Sequence, residues 1–210
     1  MTQSRYVAPV SGGAIGLGFA PERLNRVAPG GLPAMRNGVG LSEAQDRLAA
    51  LGHVVLPGQS IVDAIRAVTG TLTGSEGARI FLSEGDYDIG AAGISIAFTR
   101  LEIIAIAPGK TVLRRTVAPT APLFTLSGTR LRLQGLRLKD SLNTGYDTVS
   151  VTGDYCEVVE CHFDGASTAV EIASADYCVV RDCLFENVTA ITVDVTGTST
   201  GTLLANNRIS

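Results

Sequence analysis

Residues 154–163, Asp-Tyr-Cys-Glu-Val-Val-Glu-Cys-His-Phe, recur in register as residues 176–185, Asp-Tyr-Cys-Val-Val-Arg-Asp-Cys-Leu-Phe, a period of 22 residues. A repeat of this length is the mark of a solenoid, in which one turn of chain cannot bury its apolar face without its neighbours. The template extends upstream, where Leu131, Leu133, Leu136 and Leu138 stand in the places of Cys156, Val158, Cys161 and Phe163. It extends more loosely downstream over Thr202–Ile209, and a fainter copy begins at Leu101. Each turn carries a second alternating pair: Phe124/Leu126, Val149/Val151, Val170/Ile172 and Val193/Val195.

Alternation with period two marks short strands buried on one face. Polar residues separate them, as at Asp164-Gly165 and Gly197-Thr198, and helical periodicity is absent from about residue 78 onward. Short strands in coils of roughly 21 to 25 residues, without helix, describe a parallel β-helix. Neighbouring coils then lie about 4.8 Å apart, with equivalent side chains stacked. Cys156 is expected against Cys178, and Cys161 against Cys183.

All four cysteines fall where a neighbouring coil has leucine, so they are expected to be buried thiols acting as small apolar residues, with no metal. Zinc sites favour shorter Cys spacings with a turn than this Cys-x4-Cys. Stacked cysteines approach disulfide Cα distances, but parallel in-register neighbours present poor geometry for the bond. Buried free thiols suit assembly in a reducing cytoplasm.

The net charge of −3 gives no electrostatic case for nucleic acid or an anionic membrane. No apolar run reaches the length of a transmembrane helix, and no secretory signal pattern opens the chain. No cofactor is expected.

Residues 1–40 differ from the rest, holding Pro9, Pro21, Pro29, Pro33 and clustered glycines, with no strand or helix period. Such a segment cannot bury a core of its own. Yet it carries Tyr6, Val7, Val10, Ile15, Leu17, Phe19, Leu24 and Val27, which favour an arm ordered along a partner over a solvated tail. Residues 41–77 follow as a capping region. Ser42 and Gln45 form a capping box for a short helix bearing Ala44, Leu48 and Leu51, ended by Gly52. His53–Leu56 reads as a strand with a surface histidine. Ser60 caps a second helix whose stripe is Ile61, Ile65 and Val68, and Ala78–Ile89 reads as two strands about a tight turn at Glu84-Gly85.

The run from Leu56 through that helix, with Phe81-Leu82, Gly85 and Tyr87, resembles the opening of the pectate-lyase-like right-handed parallel β-helix superfamily. Ser83 departs from that pattern's usual proline. The resemblance covers about residues 53–210 and implies an all-β, right-handed solenoid over residues 78–210 with an N-terminal helix closing its end. An open end exposes apolar surface and unpaired strand edges.

Family members that cleave polysaccharides carry carboxylates on an exposed coil face. Glu160 and Asp182, with Asn206, share one template position, and Asp164 and Glu186 share another. Glu160 and Asp182 are the candidate catalytic pair, although stacked acids at solenoid turns are commonly only solvated corners. Arg114-Arg115 with Lys110 is the compact basic patch, able to grip an acidic sugar or simply to be solvated. With no tryptophan in the chain, no aromatic platform for sugar is evident.

The arm, the absent signal and the coil left open at Ser210 together resemble the N-terminal part of a bacteriophage tailspike, tail fibre or head spike. That resemblance implies a homotrimeric virion protein, assembled in the host cytoplasm. It would dock onto other virion proteins through residues 1–40 and present the β-helix to host surface polysaccharide. The alternatives are a polysaccharide lyase, hydrolase or epimerase on the same scaffold, and a purely structural solenoid.

Overall fold

A computed structural model of the chain describes residues 35–36, 39–40, 52–71, 77–142 and 145–210. Two units divide at Leu51 and Gly52. In the first, β1 (Met35–Arg36) pairs antiparallel with β2 (Val39–Gly40), Met35 opposite Gly40. The arm residues named above and the helix expected at 42–51 lie outside the described residues.

The second unit is the solenoid. It opens with β3 (His53–Val55) and α1 (Ile61–Thr71). Strand triplets follow: β4 (Ala78–Leu82), β5 (Gly85–Asp88), β6 (Ile94–Ile96); β7 (Leu101–Ala105), β8 (Thr111–Arg114), β9 (Phe124–Leu126); β10 (Arg132–Gln134), β11 (Arg137–Lys139), β12 (Asp147–Val151); β13 (Glu157–Val159), β14 (His162–Asp164), β15 (Thr168–Ala173); β16 (Val179–Arg181), β17 (Leu184–Glu186), β18 (Ile191–Thr196). β19 (Leu203–Ala205) and β20 (Arg208–Ile209) belong to the last coil.

Each triplet gives one strand to each of three parallel sheets, in the orders β19-β16-β13-β10-β7-β4-β3, β20-β17-β14-β11-β8-β5 and β18-β15-β12-β9-β6. This is an all-β parallel solenoid of about six turns, consistent with the right-handed parallel β-helix. Because β4 and β5 lie in different sheets, the turn at Glu84 is a corner of the coil and not a hairpin, and Gly85 already belongs to β5.

The register follows the repeat. Leu133 pairs with Val158 and Val158 with Val180. Leu138 pairs with Phe163 and Phe163 with Phe185, whose rings stack with centroids 5.0 Å apart. Val149 pairs with Val170 and Val170 with Val193. These positions form the continuous core, and each fully buried Leu or Phe contributes about 1.5–3 kcal/mol relative to exposure. At the last coil the ladders reach solvent: Leu204, next above Val180, and Ile209, next above Phe185, are both exposed.

The other end is closed as the resemblance implies. Ser60 Oγ accepts from the amide of Asp63 at 3.1 Å and caps α1. Ile61, Ala64 and Ile65 are buried, with Val68 partly buried, and α1 lies against β3 and β4. Tyr87 takes the ladder position of Leu113 but donates its hydroxyl to the Val55 carbonyl at 2.9 Å, a backbone acceptor of the first strand.

Candidate functional site

Corners between sheets need a residue in the left-handed region, and this requirement fixes where several polar side chains stand. Between the first and second sheets the corner residue is Gly135, Glu160, Asp182 and Asn206 in successive coils, with φ of 72°, 54°, 56° and 53°. Glu160 donates its amide to the carbonyl of Arg181, and Asp182 its amide to that of Ala205. Their carboxylates are engaged apart: Glu160 accepts from Gln134 Nε2 at 2.9 Å and Asp182 from Arg181 at 2.6 Å. The two acids therefore occupy the same corner of successive coils, with each carboxylate held by its own partner.

The outer face of the second sheet carries paired charge. Arg114, Lys139, Asp164 and Glu186 are successive rungs. Arg137 donates to Asp164 at 2.9 Å, Asn187 donates to the other oxygen of Asp164 at 3.0 Å, and His162 Nε2 meets Glu186 at 2.8 Å. Burial pushes the Asp164 carboxyl up, but the Asn187 and Arg137 hydrogen bonds outweigh it and hold the group below the usual range.

The basic patch expected at Arg114-Arg115 and Lys110 does not exist as a unit. Arg114 pairs with Asp86 at 3.1 Å and Lys110 with Glu84 at 3.8 Å, both exposed. Arg115 turns inward at the next corner, where its side chain and that of Asp140 are 0% exposed and 3.8 Å apart. Period-two alternation continues from Leu113 past the end of β8, so the adjacent arginines face opposite ways. Burial lowers the Arg115 pKa, and Asp140 acts against that shift.

On the third sheet's outer face, Ser150, Glu171 and Asp194 are successive rungs beside Asp147. Burial first, then the neighbouring Asp147, holds the Glu171 carboxyl above its ordinary range, and Ser150 Oγ lies 3.4 Å from it. A carboxyl raised in this way is protonated more readily than an ordinary surface acid.

An aromatic feature missed in the sequence stands at the corner entering the first sheet. Arg100, Arg130, Tyr155, Tyr177 and Gly201 occupy it in turn, all with φ between 55° and 66°. The Tyr155 and Tyr177 rings stack with centroids 5.1 Å apart, are 48% and 53% exposed, and Arg130 lies 5.8 Å from the Tyr155 centroid. The left-handed region costs a bulky residue about 1–2 kcal/mol, and a stacked ring pair contributes about 0.5–1.5 kcal/mol. With both tyrosines left-handed, stacking offsets only part of the backbone cost. The signal was the repeated Asp-Tyr-Cys: a period of 22 places the two tyrosines on one corner.

The four cysteines are buried and none is disulfide-bonded. They are more than apolar filler. Cys156, Cys178, Cys161 and Cys183 direct Sγ toward the carbonyls of Gly128, Gly153, Leu133 and Val158, each in the preceding coil, at 3.3–3.7 Å. Burial pushes Cys161 up, and Cys183 up to about 11. The hydrogen bond between Cys156 and Cys178 raises Cys156 and lowers Cys178, to about 7 against burial. Among the described residues no cluster of three or more His, Cys, Asp or Glu side chains is placed to hold a metal ion, and no helix is long and apolar enough to cross a membrane.

A scan against protein-family models matches no family, and a search of curated proteins finds no match. Solved structures with a similar chain path include ORF18 of Geobacillus virus E2, at 12% identity and a TM-score of 0.48, covering 82% of this chain and 46% of that one. They also include a pectin methylesterase in complex with a hexasaccharide, at 12% identity and a TM-score of 0.44, covering 74% and 65%. A third is pectin methylesterase PemA from Erwinia chrysanthemi, at 14% identity and a TM-score of 0.40, covering 73% and 66%. The chain spans less than half of the viral protein and about two thirds of each esterase.

Proposed function

We propose that the chain is a structural virion protein of the tailspike, fibre or head-spike kind. Residues 1–40 anchor it to other virion proteins, and the β-helix, as a homotrimer, presents an exposed face to host surface polysaccharide. The observation that carries this reading is the set of in-register polar rows along the solenoid, including Arg137–Asp164 and His162–Glu186 on adjacent rungs. A repeating surface suits a repeating polymer. On the second sheet and its corner the carboxylates are already paired, and Asp164 is held ionised, which suits binding better than proton transfer. The apolar residues spread through residues 1–40 support the anchoring role.

One observation favours a second reading. Among the described residues Glu171 is the carboxyl held above its ordinary range, with Asp147 beside it, as a general acid in polysaccharide cleavage requires. Incubating the full chain with purified host surface polysaccharide separates the two. Attachment reads as co-sedimentation with no new reducing ends and no unsaturated products. Product release that is lost in Glu171→Gln supports cleavage instead.

A further inference from the structure

We propose that the ridge formed by Arg130, Tyr155, Tyr177 and the flanking Asp154 and Asp176 binds an extended, hydroxyl-rich neutral glycan lying along the solenoid axis. This rests on the polysaccharide-attachment reading above and gives it a site and a ligand class. Two parallel rows make the ridge. In one, Asp154 Oδ1 accepts the Asp176 amide at 2.9 Å, and Asp176 Oδ1 accepts the Thr200 amide at 2.8 Å and its hydroxyl at 2.6 Å. One oxygen of each carboxylate is thereby fixed to the next coil, while the other accepts no hydrogen bond from the described residues. The Thr200 bonds hold Asp176 below the usual carboxylate range, so it stays ionised as an acceptor.

In the second row the Tyr155 and Tyr177 rings stack on each other, and their outer edges face solvent. Neither hydroxyl has a hydrogen-bond partner among the described residues. A Cβ at Gly201 would lie 2.6 Å from the Tyr177 ring, so the glycine lets the last coil close against that ring. Arg130 is exposed and lies over Tyr155 at the head of the row. Fixed carboxylate acceptors, tyrosine hydroxyls with apolar ring edges, and guanidinium donors are what a polyol needs, and they are pre-organised by the coils. One arginine against two aspartates leaves the ridge with a formal charge of −1, which repels a polyanion and points to a neutral ligand.

The test is affinity electrophoresis of the full chain through gels holding dextran, galactomannan or alginate. Tyrosine fluorescence is the second readout, since the chain has five tyrosines and no tryptophan. The expected result is retardation by at least one neutral polymer that persists at high salt. It should weaken at least about tenfold, or about 1.4 kcal/mol, in the double variant Tyr155→Ala/Tyr177→Ala. It should also weaken in Tyr177→Phe and in Asp176→Asn, which keep the coil geometry, while Asp63→Asn, on the exposed side of α1, binds as the parent does. Unchanged affinity in Tyr177→Phe and Asp176→Asn overturns the ridge whatever the double variant does, and leaves polysaccharide attachment standing on another face. Retardation by alginate alone, abolished by salt, overturns the ligand class. Absence of retardation in every gel overturns the proposal, and the virion-anchoring reading is then judged by its own assay.

Discussion

The thiol of Cys156 lies 3.3 Å from the carbonyl oxygen of Gly128 in the preceding coil. That carbonyl also sets a steric limit, because a Cβ added at Gly153 would stand 1.9 Å from it. Gly153→Ala must therefore push backbone against backbone, which costs on the order of 1–3 kcal/mol or more. We expect a clear fall in melting temperature. We also expect Cys156 and Cys178, silent to iodoacetamide in the parent because burial denies access, to become alkylated before global unfolding. Native-state labelling read by mass spectrometry checks this. A variant that melts and labels like the parent contradicts the close approach of the coils.

Glu171 gives a pH dependence of definite sign. Its folded-state pKa is raised, so ionisation costs stability as pH rises through that value. Glu171→Gln removes the cost. Its melting temperature should exceed the parent's at neutral pH, and the difference should vanish below the ordinary carboxyl range, where the parent is protonated both folded and unfolded. Thermal melts across that range decide the matter, and a variant less stable at neutral pH contradicts the assignment.

In the buried Arg115–Asp140 pair, removing either partner alone strands the other's charge away from water, whereas replacing both with apolar residues removes both desolvation costs. Asp140→Ala is expected to cost about 3–5 kcal/mol. The double variant Arg115→Met/Asp140→Ala should recover most of that loss in urea unfolding. No recovery would mean the two charges do not form the unit described.

The lid is tested by Ile65→Asp. Ile65 is buried where α1 meets β3 and β4, so an aspartate there loses its hydration without a partner, at a cost of several kcal/mol to an order of magnitude. Unchanged melting would show that the helix does not close the solenoid.

The coils and their register were legible in the sequence because stacking forces equivalent side chains onto one ladder. Leu133, Val158 and Val180 could be aligned without any structure. The capping by Ser60 was legible for the same local reason. Corners were less so: Arg115 continues the alternation of β8 inward to Asp140, outside the strand proper, and the repeat that aligns Tyr155 with Tyr177 does not by itself say that their rings stand exposed. The β1–β2 hairpin was also missed, although Asn37-Gly38 between its strands is a strong two-residue turn signal. The raised carboxyl at Glu171 depends on its burial and then on Asp147, which precedes it by a full coil and lies outside the cysteine repeat.

The claim that this chain is a virion-anchored attachment solenoid is tested most directly by comparing incorporation of the full chain with that of a chain lacking residues 1–40. Ordering such an arm costs roughly 1–2 kcal/mol per residue in backbone entropy, so it needs an extensive partner surface. The account predicts that the full chain co-purifies with virions at fixed stoichiometry, while the truncated chain melts like the parent yet stays free. A truncated chain that co-purifies equally well would contradict the account.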